Sequence, residues 1–297
     1  MLKLIEYIKN NIEWEANLTQ GYAISIKRKD GFIMFSYSQI DSDFYNEIVR
    51  ECRGLILHEE TLTPVCVPFY KFGNYGEGYC DNIDWDSAVV QEKVDGSLIK
   101  VWNYNNEWHI STNGTIDAKD AGIPVDISPY ANFYELFVKA AENCNLNIEA
   151  LNKDYTYMFE LTSPFNRVVV PYNDIKIRHI GTRDNITLEE LNIDIGVDKP
   201  KIYNLKSLED CIEMAKNLPF SEEGYVVVDK YWKRNKIKSP AYVAAHHLKN
   251  NGIITKVRII ALIRLNEQKE FLVYYPEFKD TFDEVENKIN LFINIII

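Results

Sequence analysis

The stretch Gln91-Glu92-Lys93-Val94-Asp95-Gly96-Ser97-Leu98 places one lysine in a short polar segment between two apolar runs. These runs are Ser87-Ala88-Val89-Val90 and Leu98-Ile99-Lys100-Val101-Trp102. The pattern predicts a strand, a tight turn and a second strand, because Gly96 allows close backbone approach and Asp95 can hydrogen-bond the turn. We therefore expect a hairpin in which Lys93 lies at a strand end and faces a cavity.

A lysine at such a position has two interpretations. The first is a solvated ammonium at a hairpin turn, which does no chemistry. In the second, an ammonium that is desolvated or placed among other cations loses its proton more readily, and the neutral amine is then a nucleophile. The pattern Lys-x-Asp-Gly alone arises by chance in roughly a few per cent of chains of this size, so the choice depends on residues elsewhere.

The composition bounds the class of protein. The chain has 297 residues, of which 46% are hydrophobic, so it can bury a sizeable core as one large domain or as a main domain with a small appendage. Its net charge of −11 argues against a protein that coats nucleic acid nonspecifically. One region has the opposite charge balance: Val228 to Arg258 holds eight basic residues and the single acid Asp229.

The five cysteines are scattered and never spaced as Cys-x-x-Cys, which favours neither a disulfide framework nor a zinc site. A reducing cytoplasm fits this usage, or a host cytoplasm if the gene is viral. We expect no signal peptide and no membrane span, since the most apolar stretch, Leu291 to Ile297, is too short to cross a bilayer.

Periodicity along the chain predicts mixed strands and helices, and hence an α+β fold. Predicted strands include Phe32–Tyr37, Tyr155–Leu161, Arg167–Pro171, Ile175–Gly181, Glu222–Val228, which is entered from a turn, and Asn235–Ser239. Predicted helices include Pro129–Asn143, Leu188–Leu191, Ser207–Leu218, Tyr242–Lys249 ended by Asn250-Asn251-Gly252, Ile254–Leu265 and Phe282–Ile295. Because the pattern turns helical after Pro240, we divide the chain into residues 1–240 and a small helical domain, 241–297.

Charged residues at predicted strand ends and loops suit chemistry on a nucleotide. The cations are Arg53, Lys71, Lys236 and Lys238, and the carboxylates are Glu160 and Glu223. Cations bind polyphosphate, and carboxylates can hold a divalent metal or a ribose hydroxyl. The set fits attack of an amine on an α-phosphate with pyrophosphate leaving, a reaction in which electrostatic stabilisation does most of the catalysis.

Seven segments occur in one order between Phe35 and about His246. They are Phe35-Ser36-Tyr37, Glu51-Cys52-Arg53-Gly54, Lys71-Phe72-Gly73-Asn74, Lys93-Val94-Asp95-Gly96-Ser97-Leu98, Phe159-Glu160 with Asn166-Arg167-Val168-Val169, Glu223-Gly224-Tyr225-Val226, and Lys236-Ile237-Lys238-Ser239 with Tyr242-Val243. In this order they resemble the phage-type ATP-dependent RNA ligases, the family of the bacteriophage tRNA-repair ligase, within the covalent nucleotidyltransferase superfamily.

The resemblance implies a nucleotidyltransferase fold, ligase-type, with ATP-grasp-like antiparallel sheets, flanking helices and a nucleotide pocket between the sheets. It implies ATP as substrate, Mg²⁺ or Mn²⁺ as cofactor, and RNA with 5′-phosphate and 3′-hydroxyl ends as partner, with the enzyme acting as a monomer. Lys93 would take AMP from ATP, the AMP would pass to an RNA 5′-phosphate, and a 3′-hydroxyl would then seal the strand.

The resemblance also implies roles for the remaining residues. Arg53 and Lys71 would hold phosphates of the nucleotide or of the incoming RNA. Lys236 and Lys238 would bind the α-phosphate and help pyrophosphate leave. The other implied contacts are Glu160 to the ribose or a metal-bound water, Glu223 to the metal, Tyr37 beside the adenine, and Glu92 in the nucleotide-binding set.

One departure from the family pattern keeps alternatives open. Asn113 stands where relatives often carry a basic residue, so contact with the triphosphate or the RNA end could be altered. Related enzymes act with GTP or on DNA ends, but the lack of an evident barrel-like domain after Lys238 argues against both. A catalytically inactive protein that binds RNA ends is the third reading, and the intact set of charged residues argues against it.

Overall fold

The computed structural model describes residues 1–247, 256–264 and 267–296. The strands in chain order are β1 (Ile24–Lys29), β2 (Phe32–Tyr37), β3 (Arg53–His58), β4 (Pro64–Cys66), β5 (Gly73–Asn74), β6 (Val89–Glu92), β7 (Ser97–Tyr104), β8 (Glu107–Thr112), β9 (Tyr155–Thr162), β10 (Lys176–Asp184), β11 (Glu190–Leu191), β12 (Ile202–Tyr203), β13 (Gly224–Val228) and β14 (Arg234–Lys238). The helices are α1 (Lys3–Asn10), α2 (Trp14–Ala16), α3 (Glu47–Glu51), α4 (Phe133–Asn143), α5 (Leu208–Lys216), α6 (Pro240–His247), α7 (Lys256–Arg264), α8 (Gln268–Tyr274) and α9 (Lys279–Ile296).

The chain divides into two compact units, each built from two separate segments. Unit 1 comprises Met1–Lys71 and Asp95–Pro200, and unit 2 comprises Phe72–Val94 and Lys201–Ile297. The boundary between Val94 and Asp95 therefore falls inside the lysine stretch.

Unit 1 contains two sheets and unit 2 contains one. The sheets of unit 1 have the strand orders β1-β2-β3-β4 and β11-β10-β9-β7-β8, and the sheet of unit 2 has the order β12-β6-β13-β14-β5. The strand pairs are antiparallel except β14 with β5. The predicted α+β class with antiparallel sheets is confirmed.

The larger core of unit 1 forms where α4 packs on its five-stranded sheet. Asn132 caps the helix by accepting a hydrogen bond from the Glu135 amide at 3.0 Å. The helix then buries Leu136 and Phe137 on one face, and the Phe137 ring lies 5.6 Å from that of Phe159 on β9. Each such side chain contributes roughly 1.5–3 kcal/mol by leaving water, which fixes β9 in place.

The core of unit 2 forms between its sheet and α5. The Ser207 hydroxyl accepts a hydrogen bond from the Asp210 amide at 3.0 Å and so caps the start of the helix predicted over Ser207–Leu218. Val90, Val227 and Ile237 from three neighbouring strands are buried beneath it. This packing holds β6, β13 and β14 side by side, and these strands carry or flank the charged residues of the candidate site.

The predicted hairpin at Lys93 is wrong, because β6 pairs with β12 and β13 whereas β7 pairs with β8 and β9. The Asp95 carboxylate bonds to a segment far along the chain. It accepts hydrogen bonds from the Val169 and Val170 amides at 2.9 and 2.7 Å. Both amides belong to Arg167–Pro171, which the sequence predicts as a strand. That prediction is wrong, because the structure has no strand there and the two amides bond to Asp95.

Two further predictions concern helices. The predicted helix Leu188–Leu191 is wrong: Leu188 has a φ of +66° and β11 follows it. After Pro240 the described residues do fold mainly as helices α6 to α9, although the predicted helix end at Asn250-Asn251-Gly252 lies outside the described residues. None of the described helices is both long and apolar enough to cross a membrane. The division at residue 240 stays a prediction.

Candidate functional site

Lys93 directly follows β6 in unit 2, at the strand end that the sequence predicts. Its amide donates a hydrogen bond to the Gly224 carbonyl at 2.8 Å, which ties it to the start of β13. Its Nζ lies 2.8 Å from Glu223 Oε2, and 20% of the side chain is exposed. The amine is therefore held against one carboxylate, with part of its surface open to solvent.

Glu223 is the centre of this cluster. It is 5% exposed, and its second oxygen, Oε1, lies 3.9 Å from the Nζ of Lys238. The residue after it must be glycine, because Gly224 has a φ of +136° and a Cβ there would lie 2.1 Å from the Ile237 carbonyl. This close approach sets Glu223 beside the end of β14, where Lys238 lies.

Lys236 and Lys238 alternate along β14 around the buried Ile237, as the strand period predicts. The Nζ of Lys236 lies 4.7 Å from the centroid of the Phe72 ring. Lys238 lies 5.9 Å from the Tyr242 ring centroid, and 16% of its side chain is exposed. Unit 2 thus brings together Lys93, Lys238 and Glu223, and presents a further lysine on the same strand.

Glu92 belongs to a different set of contacts. Its amide donates to the Lys201 carbonyl at 2.7 Å, and its carboxylate accepts from the Lys201 amide at 3.4 Å. These hydrogen bonds fasten β6 to the segment that enters β12. The structure does not bring Glu92 into the cluster around Glu223.

Arg53 opens β3 in unit 1, as predicted. Gly54 follows with a φ of +74°, at an irregularity where Ser36 pairs with Arg53 and Phe35 pairs with Leu55. The Gly54 carbonyl at this bulge accepts a hydrogen bond from the Lys100 ammonium at 2.5 Å. Arg53 therefore lies at the start of its strand, directly beside this bulge.

The sequence reasoning missed Lys100. Its side chain is fully buried on β7, and this burial lowers its pKa, with the positive charge of Arg53 acting in the same direction and Cys66 opposing it. The only signal in the sequence is one lysine inside the apolar run from Leu98 to Trp102. A run of that kind predicts a strand buried on both faces, where a charge is rare.

Lys71 and Tyr37, which were both predicted to bind the nucleotide or RNA, lie side by side in unit 1. Lys71 is 4% exposed, and its Nζ donates to the Gln39 side-chain carbonyl at 3.1 Å. The same ammonium lies 5.3 Å from the Tyr37 ring centroid and 4.5 Å from that of Phe44. The lysine is therefore held among aromatic rings.

Glu160 lies on β9 of unit 1, opposite Leu98 on β7. Gly96 passes close to this strand, since a Cβ at that position would lie 2.4 Å from the Leu161 carbonyl and 3.1 Å from Glu160 Cγ. The glycine of the lysine stretch is thus required by close packing on β9 in unit 1. A hairpin turn, which the sequence predicts, is not its role.

The residues present fit a magnesium-type ion. No group of three or more His, Cys, Asp and Glu side chains within residues 1–247, 256–264 and 267–296 could hold a metal ion. Mg²⁺, however, usually takes only one or two protein carboxylates together with substrate phosphates and water. Glu223 supplies one buried carboxylate in unit 2, and Glu160 supplies a half-buried one in unit 1.

The fold is shared with solved structures of known proteins. The structure is similar to two forms of an archaeal ATP-dependent RNA ligase, with TM-scores of 0.52 and 0.51 at 12% and 13% sequence identity. Each likeness covers 93% of this chain, and 74% and 73% of the respective solved chains. This is the nucleotidyltransferase fold of ATP-dependent ligases.

Sequence relatives identify the family to which the chain belongs. A protein of Autographa californica nuclear polyhedrosis virus named putative bifunctional polynucleotide kinase/RNA ligase is 31% identical over 94% of this chain, and an RNA ligase of Rhodothermus phage RM378 is 24% identical over 90%. The chain spans 42% of the first relative and 76% of the second. A family model described as RNA ligase matches residues 51–242, and the chain belongs to that family.

Proposed function

We propose that this protein is an ATP-dependent RNA ligase that joins 5′-phosphate and 3′-hydroxyl RNA ends through a lysyl-AMP intermediate. One observation carries the proposal: the Lys93 amine lies 2.8 Å from the buried Glu223 carboxylate, whose other oxygen faces Lys238. A solvated hairpin lysine would have no such partners. Membership of the RNA ligase family supports the choice of RNA over DNA ends.

The first step forms a bond between Lys93 Nζ and the α-phosphorus of ATP, breaks the bond to the bridging oxygen and releases pyrophosphate. The ammonium must lose its proton before it attacks. The Glu223 contact fixes the amine in one direction, which lowers the entropic part of the barrier. Lys236 and Lys238 are assigned to the negative charge that grows on the phosphate oxygens and the leaving group.

The unit 1 residues receive the remaining roles. The Arg53 guanidinium is assigned to phosphate because its planar donor fork matches phosphate oxygens. Lys71 is assigned to the same charge, Tyr37 to the adenine side and Glu160 to the ribose. Glu92 stays in the proposed nucleotide-binding set, with contacts to Lys201 that favour an indirect role.

A divalent ion, Mg²⁺ or Mn²⁺, completes the proposal. Glu223 would hold it in unit 2, and the carboxylate of Glu160 is the second candidate ligand. When bound, the ion neutralises charge on the phosphates of the nucleotide. Glu223 can supply a ligand oxygen because its carboxylate is buried beside the amine proposed to receive the phosphate.

In the second and third steps AMP moves from the lysine to the RNA 5′-phosphate, and the 3′-hydroxyl oxygen attacks that phosphorus. A phosphodiester forms and AMP leaves. We assign this chemistry to residues 1–240 of a monomer, with residues 241–297 as a small helical domain. Repair of broken RNA, including tRNA, in the cytoplasm of the cell or of a virus-infected host is the proposed setting.

Incubation with α-labelled ATP and magnesium tests the proposal. We expect label to stay on the wild-type protein and to be lost in Lys93→Ala. Lys216→Ala is a matched control, since Lys216 is an exposed lysine of α5 in the same unit. Labelling by GTP in preference to ATP, sealing of DNA in preference to RNA, or equal labelling of Lys93→Ala would contradict the proposal.

A further inference from the structure

The turn between β13 and β14 has the sequence Lys230-Tyr231-Trp232-Lys233, and we name it the aromatic turn. All four of its residues are exposed. Tyr231 is 63% exposed and Trp232 is 36% exposed, so the two rings add little to the core of unit 2. Hairpin turns ordinarily carry small polar residues, which makes two adjacent exposed aromatic rings unusual.

The backbone of the aromatic turn is held rigidly by Asp229, which is 3% exposed. One oxygen of its carboxylate accepts hydrogen bonds from the Tyr231 amide at 2.8 Å and the Lys233 amide at 3.0 Å. Its other oxygen accepts from the Asp84 amide at 3.1 Å. Because the turn is already ordered, a ligand that binds the rings pays little conformational entropy.

The backbone conformation of Trp232 also favours a binding role for the aromatic turn. Its φ of +63° is in the left-handed region, which glycine and asparagine adopt far more readily than a bulky residue. The Arg234 side chain makes two contacts with this residue. It donates a hydrogen bond to the Trp232 carbonyl at 3.2 Å, and its guanidinium carbon lies 5.7 Å from the centroid of the Trp232 ring. A strained backbone position thus carries a large exposed ring that the turn itself does not need.

The positive charge around the two rings suits a ligand with a chain of phosphate groups. Residues 230–239 contain five cations and no acid, although Lys230 is paired with Asp84 at 3.0 Å. Lys236 and Lys238 share one face of β14 with the buried Arg234, and this strand runs from the aromatic turn to the carboxylate of Glu223. At about 3.3 Å per residue, the turn lies roughly 20 Å along the chain from Lys238.

We propose that the aromatic turn binds a single-stranded segment of the RNA substrate by stacking bases on Tyr231 and Trp232. Aromatic rings accept any base on their faces, and neighbouring lysines neutralise the phosphates, which is the usual way that single strands are held. The inference rests on the proposed function, since it names a contact with the RNA that the ligase would join. It places RNA binding at the hairpin end away from the nucleophile.

The test uses the full chain with Tyr231→Ser and Trp232→Asn combined, because asparagine tolerates the backbone angle of Trp232. We expect the Kd for a single-stranded RNA to rise about tenfold or more, on the scale of one lost base stack. The apparent KM for RNA in sealing should rise in parallel, while self-adenylylation by ATP stays unchanged. Trp232→Phe, which keeps an aromatic face, should retain most of the RNA affinity.

Phe220→Ser is the matched control, since Phe220 is a 50% exposed aromatic residue of the same unit and lies outside the turn. Equal RNA affinity in the double variant and the wild type would overturn the inference, as would equal losses in the double variant and Phe220→Ser. Loss of binding to anionic vesicles with unchanged RNA affinity would also overturn it and assign the turn to a membrane surface. A wild type that binds RNA through the turn but takes no label from ATP would refute the proposed function alone.

Discussion

Glu223 is a buried carboxylate with a lysine amine near each of its oxygens. Burial of a single carboxylate is costly, and the two lysines offset that cost only while the acid keeps its charge. The same arrangement fixes the direction of Lys93. We therefore expect the stability of unit 2 and the proposed reactivity of Lys93 to depend on the Glu223 side chain.

Glu223→Gln tests that dependence. The change leaves Lys93 and Lys238 beside a neutral amide, so we expect the free energy of unfolding to fall by about 1–3 kcal/mol. Self-adenylylation should fall by roughly a hundredfold or more, because the amine loses its orientation. Denaturant titration and the rate of label uptake measure the two effects.

Glu222→Gln is the control, since it alters the neighbouring exposed acid. It should leave both quantities near their wild-type values. Equal effects of the two variants would show that the Glu223 contacts do not set the reactivity of Lys93.

His179 gives a prediction about pH. It is 2% exposed on β10, and burial lowers its pKa to about 4, with the charge of Lys199 acting in the same direction. The unfolded chain, with a histidine pKa of about 6.5, takes up the proton first as the pH falls. The free energy of unfolding should therefore drop by ~3 kcal/mol between about pH 6.5 and pH 4 from this residue alone.

Denaturant titrations across that pH range should show the loss in the wild type and a flatter profile in His179→Gln. Subtracting the two profiles removes the contribution of the other titrating groups. Profiles that run parallel would contradict the prediction, because they would mean that His179 has the same pKa in the folded and the unfolded chain.

At the scale of elements, the close approach between the lysine stretch and β9 is the feature most sensitive to a small change. A Cβ at Gly96 would lie 2.4 Å from the Leu161 carbonyl, whereas a Cβ at Gly114 would meet nothing within 4 Å. Neither glycine has a positive φ. The two positions therefore differ in space and not in backbone conformation.

We expect Gly96→Ala to lower the free energy of unfolding by about 1–3 kcal/mol, because backbone must shift to admit the methyl group. Self-adenylylation should fall as well, since the shift begins three residues from Lys93. Gly114→Ala should change neither by a measurable amount. Thermal unfolding and label uptake of the two variants measure these effects. Similar behaviour of Gly96→Ala and Gly114→Ala would contradict the close packing of Gly96 on β9.

The elements also show why some predictions succeeded. Strand-forming residues predicted β9, which is buried on both faces, and the two-residue period of a strand predicted that Lys236 and Lys238 share a face. The hairpin at Lys93 failed because Asp95 bonds to Val169 and Val170, more than seventy residues away. A local pattern cannot encode a partner so distant along the chain.

At the scale of the whole molecule, the grouping of strands depends on distant pairs such as Glu92 with Tyr225. Periodicity predicted the α+β class and the motif order predicted the family, and the structure and comparisons confirm both. Linear patterns did not predict that 72–94 and 201–297 form one compact unit. Lys100 was missed for a related reason, since its partner Gly54 is on another sheet.

The net charge of −11 leads to a prediction about salt. Few cations are assigned to RNA, so binding should release few counterions. For two to four phosphate contacts, the logarithm of affinity for single-stranded RNA should fall against the logarithm of salt with a slope of roughly −1 to −3. Fluorescence anisotropy at several salt concentrations measures this slope, and a value steeper than about −5 would indicate a protein that coats RNA through many contacts.

The central claim is that the amine of Lys93 becomes covalently bonded to AMP. Mass spectrometry of the protein after incubation with ATP and magnesium, followed by peptide mapping, tests it most directly. We predict a mass increase of one AMP on the peptide that contains Lys93, and none in Lys93→Ala. An unmodified Lys93 peptide in a protein that still seals RNA, or AMP on a different residue, would contradict the account.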